Sequence, residues 1–195
     1  MGVIYLDSSL LIGTGSNRAC YRHPDDENKC IKVTLQGKLP RRHQNPREFK
    51  YYRLLEKRGI DWEQIARCYG WVETNLGMGL VFRRVIAHDG SSLPNLQQAC
   101  EQGWVERDHL FNELQSLKNW LMKHAIIVSD LKLENMIYVP HNEPGRRIVL
   151  VDGVNNRNAI KLANYLFPLA RSKMRRVWDR FSRRLLNEGM IRDRV

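Results

Sequence analysis

The stretch Ser129-Asp130-Leu131-Lys132-Leu133-Glu134-Asn135 sets the Asp130 carboxylate, the Lys132 ammonium and the Asn135 carboxamide within six positions, and the Asp152 carboxylate follows in Val151-Asp152-Gly153. Its surroundings say where those groups sit. Upstream, Leu110, Leu114, Leu117 and Leu121 recur at helical spacing, which predicts an amphipathic helix. Downstream, Met136-Ile137-Tyr138-Val139 and Ile148-Val149-Leu150-Val151 flank a polar turn from His141 to Arg147, which predicts a β-hairpin. The first carboxylate and the carboxamide therefore belong to a loop between helix and hairpin, and Asp152 follows the hairpin directly. A last helical region is expected from roughly Ala159 to Asn187.

This order resembles the catalytic loop of protein kinases, D-L-K-x-x-N, followed by the metal-binding D-F-G, and the spacing of five from Asp130 to Asn135 fits. The resemblance implies a role for each group. Asp130 orients the attacking hydroxyl and accepts its proton, and Lys132 neutralises charge on the moving γ-phosphate. Asn135 and Asp152 offer the oxygen ligands that Mg²⁺ prefers. The plainer alternative is an Asp- and Asn-rich loop carrying a surface lysine.

The first third of the chain reads as short strands, with one helix from Pro46 to Arg58. Gly13-Thr14-Gly15 resembles the start of a nucleotide-covering glycine loop, with Arg18 in the place of the third glycine. Taken alone it is equally a hairpin turn. Lys32, in Cys30-Ile31-Lys32-Val33, then falls where a kinase strand lysine meets the α- and β-phosphates, and Glu48 in the next helix is its expected partner. Phe82 to Ala87 take the position of the interlobe hinge, with Phe82 and Arg84 assigned to the adenine pocket by position alone. Glycine loop, strand lysine, helix glutamate, Asp/Asn loop and metal Asp occur in kinase order. The expected fold class is α+β: a bilobal, minimal protein-kinase-like fold with a small antiparallel-sheet lobe and one helix over 1–86, and a reduced, mainly helical lobe over 87–195.

The same residues are similar to the bacterial PhoP regulatory network protein (YrbL) family, a set of small kinase-like proteins. The likeness runs through Cys20-Tyr21-Arg22-His23-Pro24, Glu48-Phe49-Lys50-Tyr51-Tyr52, Tyr69-Gly70-Trp71-Val72-Glu73-Thr74 and the loop ending Lys132-Leu133-Glu134-Asn135. It implies a kinase-like fold binding ATP and Mg²⁺ in a Gram-negative bacterium, tied by name to a two-component stress regulon, and it names no phosphate acceptor. Departures from the kinase pattern are plain. Val128-Ser129 replaces the usual His-Arg, Phe is missing from the metal motif, and no A-P-E segment follows Asp152. Two readings follow from this: a phosphotransferase acting on a hydroxyl of a protein or small molecule, and a nucleotide-binding pseudokinase serving as a regulatory scaffold.

Composition bounds the rest. With 195 residues, 43% hydrophobic and 27% charged, the chain has the make-up of a globular domain. Cys20, Cys30, Cys68 and Cys100 show neither C-x-x-C pairs nor zinc spacing, so reduced thiols in a cytoplasmic protein are expected. No signal peptide, transmembrane run or myristoylation pattern is expected, since Leu6 stands where Ser or Thr is needed. The net charge is +11, of which the segment from Arg157 onward carries +8. There Arg171, Lys173, Arg175, Arg176, Arg180, Arg183 and Arg184 alternate with an apolar stripe. They form either a solvated outer face or a docking surface for an anionic partner: acidic protein, nucleic acid or phospholipid headgroups. A basic nucleic-acid-binding protein is the third reading, and it rests on charge alone.

Overall fold

The structure is a computed structural model that describes residues 2–35, 44–140, 148–156, 162–193 and 195. It is α+β, and the chain divides into two compact units: Met1–Arg58 with Ala66–Ser91, and Gly59–Ile65 with Ser92–Val195. The division falls a few residues beyond the expected 86/87 boundary. It also sends Gly59–Ile65 to the second unit, because Ile65 bridges to Leu150 and the Leu150 N–H donates to the Gln64 carbonyl at 2.9 Å.

The first unit is an antiparallel sheet of β1 (Leu11–Thr14), β2 (Arg18–His23), β3 (Asp26–Thr34), β4 (Cys68–Thr74) and β5 (Gly77–Arg83), in the order β1-β2-β3-β5-β4. Strand alternation gives β3 two faces. Ile31 and Val33 point to one side and pack with Leu6 and Val81. Gly79, on β5 opposite Val33, makes that packing fit: a Cβ there would lie 2.5 Å from Ile31 Cγ2. Cys30 and Lys32 point to the other side, where α1 (Gln44–Lys57) covers the sheet through the buried Tyr51, Tyr52 and Leu55. The Tyr52 and Phe82 rings meet edge to face, with centroids 5.4 Å apart. From β2 onward the expected helix and strands of this region are present. The stretch before β1 differs from the strand expected there: Ser8–Leu10 forms a 3-10 turn capped by Asp7 Oδ1, which accepts from the Ser9 N–H at 2.7 Å.

The second unit holds α2 (Leu96–Glu101), α3 (Arg107–Lys123), the hairpin β6 (Met136–Tyr138) and β7 (Ile148–Leu150), and α4 (Phe167–Asn187). Its core joins the α3 leucines to Ile126–Val128, to Met136, Tyr138, Ile148, Val149 and Leu150 of the hairpin, and to Met174, Trp178, Phe181 and Leu185 of α4, all at most 4% exposed. Each such side chain contributes roughly 1.5–3 kcal/mol by leaving water. Two features depart from expectation. Helix α2 shows no periodic pattern in its six residues, yet Asn95 and Gln98 close a reciprocal capping box at its start. Helix α4 begins at Phe167, where Pro168 occupies the first turn, rather than near Ala159. The expected hairpin turn from His141 to Arg147 lies outside the described residues, as do 157–161.

Candidate active site

In the second unit, α3 ends at Lys123 and the chain runs through the buried Ile126-Ile127-Val128 to the loop Asp130–Asn135, whose last three residues form a 3-10 turn leading into β6. The burial of those three apolar residues and of Leu131 and Leu133 pins the loop, while Asp130 and Lys132 stay partly exposed. The Asn135 amide folds back on Asp130: its Nδ2 donates to the Asp130 carbonyl at 2.9 Å. Only an N–H can face a carbonyl, so the amide orientation is set by the network. Its Oδ1 then accepts no hydrogen bond from the described residues. Lys132 Nζ sits 3.3 Å from Asp130 Oδ1. Both side chains are substantially exposed, so this pair adds little stability and leaves the lysine available to an incoming anion.

Asp152 follows β7, and the Gly153 N–H donates to its Oδ1 at 2.7 Å. Gly153 has φ +81°, and a Cβ there would lie 2.5 Å from the Asp130 carbonyl oxygen. Glycine is thus required for the turn to seat against the loop. Val128-Ser129 carries the cross-support. Ser129 N–H donates to the Gly153 carbonyl at 2.8 Å, its hydroxyl donates to Asn155 Oδ1 at 2.8 Å, and Val128 bridges to Val154. The structure therefore brings Asp130, Lys132, Asn135 and the Asp152-Gly153 turn into one locality. Asn155 is the supporting residue that the sequence did not disclose.

In the first unit, Gly13 and Thr14 end β1 opposite Cys20 and Ala19, and the Gly15 N–H donates to the Arg18 carbonyl at 2.8 Å. The glycine segment is a tight hairpin turn, and a Cβ on Gly13 would meet nothing within 4 Å, so its backbone is open to approach. Lys32 is 7% exposed, and its ammonium lies 4.4 Å from the centroid of the Phe82 ring. The nearby Cys30 thiol is held well above its ordinary pKa by its hydrogen bond with Cys20 and by burial, so it stays neutral beside that ammonium.

Glu48 sits on the inner face of α1, fully buried, and its Oε2 pairs with Arg18 Nη1 at 2.5 Å. The same Arg18 nitrogen donates to Asn45 Oδ1 at 2.8 Å, and Asn45 Nδ2 donates to the Lys32 carbonyl at 2.9 Å. A chain of contacts thus joins the turn of the glycine segment, α1 and the strand that carries Lys32. Chain order alone pairs Glu48 with Lys32 and puts Arg18 in the place of a third glycine. The partner the structure gives Glu48 is Arg18, and no local signal marks it, since β2 also carries the exposed Arg22 and buries only Arg18 and Ala19.

The two adenine-pocket positions fare differently. Phe82 is fully buried in β5 between Tyr52 and Lys32, so its side chain packs the sheet and supports the lysine. The Arg84 N–H is taken by the Asn28 carbonyl at 2.7 Å, just past the end of β5. Among the described residues no group of three or more His, Cys, Asp or Glu side chains gathers to cage a metal.

The model of the family described as PhoP regulatory network protein YrbL matches residues 4–186, nearly the whole chain. The chain belongs to the YrbL family. It is 33% identical over 181 residues to "Uncharacterized protein YrbL" of Escherichia coli (strain K12), covering 92% of this chain and 86% of that protein. The Shigella flexneri protein of the same description matches with the same identity and coverage. The YrbL match takes in both the Lys32–Glu48 region and the loop from Asp130 to Asp152. No helix among the described residues is long and apolar enough to cross a membrane.

Proposed function

We propose that this YrbL-family chain has a protein-kinase-like fold and is a phosphotransferase that moves the γ-phosphate of ATP to a hydroxyl acceptor. The observation that carries the reading is the loop joined to its turn: Asp130, Asn135 and Asp152-Gly153 tied together by the Asn135 amide and by the close seat of Gly153. In this reading Asp130 takes the proton of the acceptor hydroxyl, and Lys132 offers positive charge to the departing phosphoryl group. Lys32 holds the phosphates of the nucleotide, and the exposed backbone around Gly13-Thr14-Gly15 covers them. Mg²⁺ suits the donors present, since Asn135 Oδ1 and the Asp152 carboxylate are hard oxygens and two protein ligands suffice when phosphates supply others. Bound there, the ion would neutralise phosphate charge. A protein or a small molecule fits equally as the acceptor.

One observation favours the second reading, a nucleotide-binding pseudokinase that works as a scaffold. The buried carboxylate of Glu48 is engaged by Arg18, whereas a working kinase commits that carboxylate to the strand lysine. The deciding experiment is ATP/Mg²⁺ turnover by the purified chain beside an Asp152→Ala control. Turnover that vanishes in the control supports the transferase. ATP binding without turnover, across protein and small-molecule acceptors, supports the scaffold, and absence of ATP binding removes both.

A further inference from the structure

Helix α4 turns Ala170, Met174, Trp178, Phe181, Ser182 and Leu185 inward, so its outward face is fixed by the remaining positions. Leu169, Lys173, Arg176, Arg180 and Arg183 follow one another at spacings of four, three, four and three, a single straight stripe along that face. Its four cations line an open groove together with Val177 and Asp179. Lys173 is held in place by its hydrogen bond to Asn156 Oδ1 at 2.5 Å, and its pKa is lowered by burial and by the neighbouring Arg176 charge. An anion laid on the stripe would relieve that repulsion.

At the start of the same helix, four apolar side chains face water: Tyr165 is 71% exposed, Leu166 45%, Phe167 44% and Leu169 43%. A cluster of this kind beside a line of cations is not explained by packing, since the inner face of α4 is already satisfied within its own unit. A phosphate backbone has no use for exposed leucines, and an acidic protein surface has little. A bilayer surface takes up both halves. Apolar tips enter the boundary between headgroups and acyl chains, where tyrosine is at home, while Arg and Lys meet anionic headgroups.

We propose that Tyr165–Leu169 and the Lys173–Arg183 stripe form a peripheral docking surface for an anionic phospholipid bilayer. The helix keeps its core face on the protein, so only its first turn and the preceding residues insert. The whole chain is tested by co-sedimentation with phosphatidylcholine vesicles with and without about 30% phosphatidylglycerol, at low and high salt. Binding is expected to the anionic vesicles alone and to weaken with salt. Arg176→Gln/Arg180→Gln/Arg183→Gln loses about a hundredfold, at roughly fivefold per cation. Leu166→Ser/Leu169→Ser, at positions too exposed to unfold the unit, weakens binding by about tenfold or more while leaving the melting temperature in place. Failure of the parent chain to bind anionic vesicles overturns the proposal, as does equal binding to neutral ones. Binding of duplex DNA or polyglutamate that is unchanged in the leucine variant, with vesicles left unbound, assigns the stripe to another polyanion and likewise overturns it.

Discussion

Replacing Arg18 by methionine tests whether the buried pair with Glu48 fastens α1 to the strand that carries Lys32. The arginine is 6% exposed and its partner is fully buried, so neither charge has water to fall back on. Glu48 Oε1 already accepts no hydrogen bond, and Arg18→Met strips Oε2 of the Arg18 donor. Breaking a buried pair from one side costs about 3–5 kcal/mol. The Asn45 oxygen loses its donor as well, a further ~1–3 kcal/mol that overlaps the first. In Arg18→Met/Glu48→Leu the isolated carboxylate is gone and only the Asn45 loss remains, so the double variant recovers at least about 2 kcal/mol relative to the sum of the singles. At roughly 2–4 °C per kcal/mol for a chain of this size, Arg18→Met lowers the melting temperature by roughly 6–20 °C. Thermal melting gives the cycle, and hydrogen exchange of the β2 and β3 amides shows that the loss is local to the first unit. An Arg18→Met variant within about 1 kcal/mol of the parent would refute the reasoning, and so would a double variant that costs the sum of the singles.

Asp130→Ala is expected to lower phosphoryl transfer by about 10²–10⁴-fold with nucleotide binding kept, whereas Lys32→Ala weakens both; nucleotide titration beside turnover separates the two, and wild-type turnover in Asp130→Ala refutes the assignment of the base. Gly153→Ala forces a side chain to φ +81° and to 2.5 Å from the Asp130 carbonyl, so it should cost about 1–3 kcal/mol and depress turnover; an unchanged melting temperature and rate would show that the seat is slack. Burial pushes the Cys68 thiol from 9.0 to about 12 in the folded chain. Folding therefore binds this proton more tightly, and its contribution, whole below pH 9.0, is lost as pH rises through about 12. Urea midpoints measured across that window should fall less steeply in Cys68→Ala than in the parent.

Features that depend on short range are written locally in the chain. Strand alternation at Cys30-Ile31-Lys32-Val33 and the leucine spacing of α3 each encode their element locally, because side-chain direction repeats with the backbone period. The spacing from Asp130 to Asn135 likewise disclosed a loop, whereas the reach of the Asn135 amide back to the Asp130 carbonyl came from the fold. Helix α2 and the first turn of α4 were less legible, since one rests on a capping box within six residues and the other on where Pro168 lets a helix begin. Who pairs with whom is set by the fold. Arg18 and Glu48 stand thirty residues apart, and nothing in their local patterns distinguishes that pair from Lys32 with Glu48. The choice is made by which cation the sheet register and the seat of α1 place against a carboxylate that burial has deprived of water.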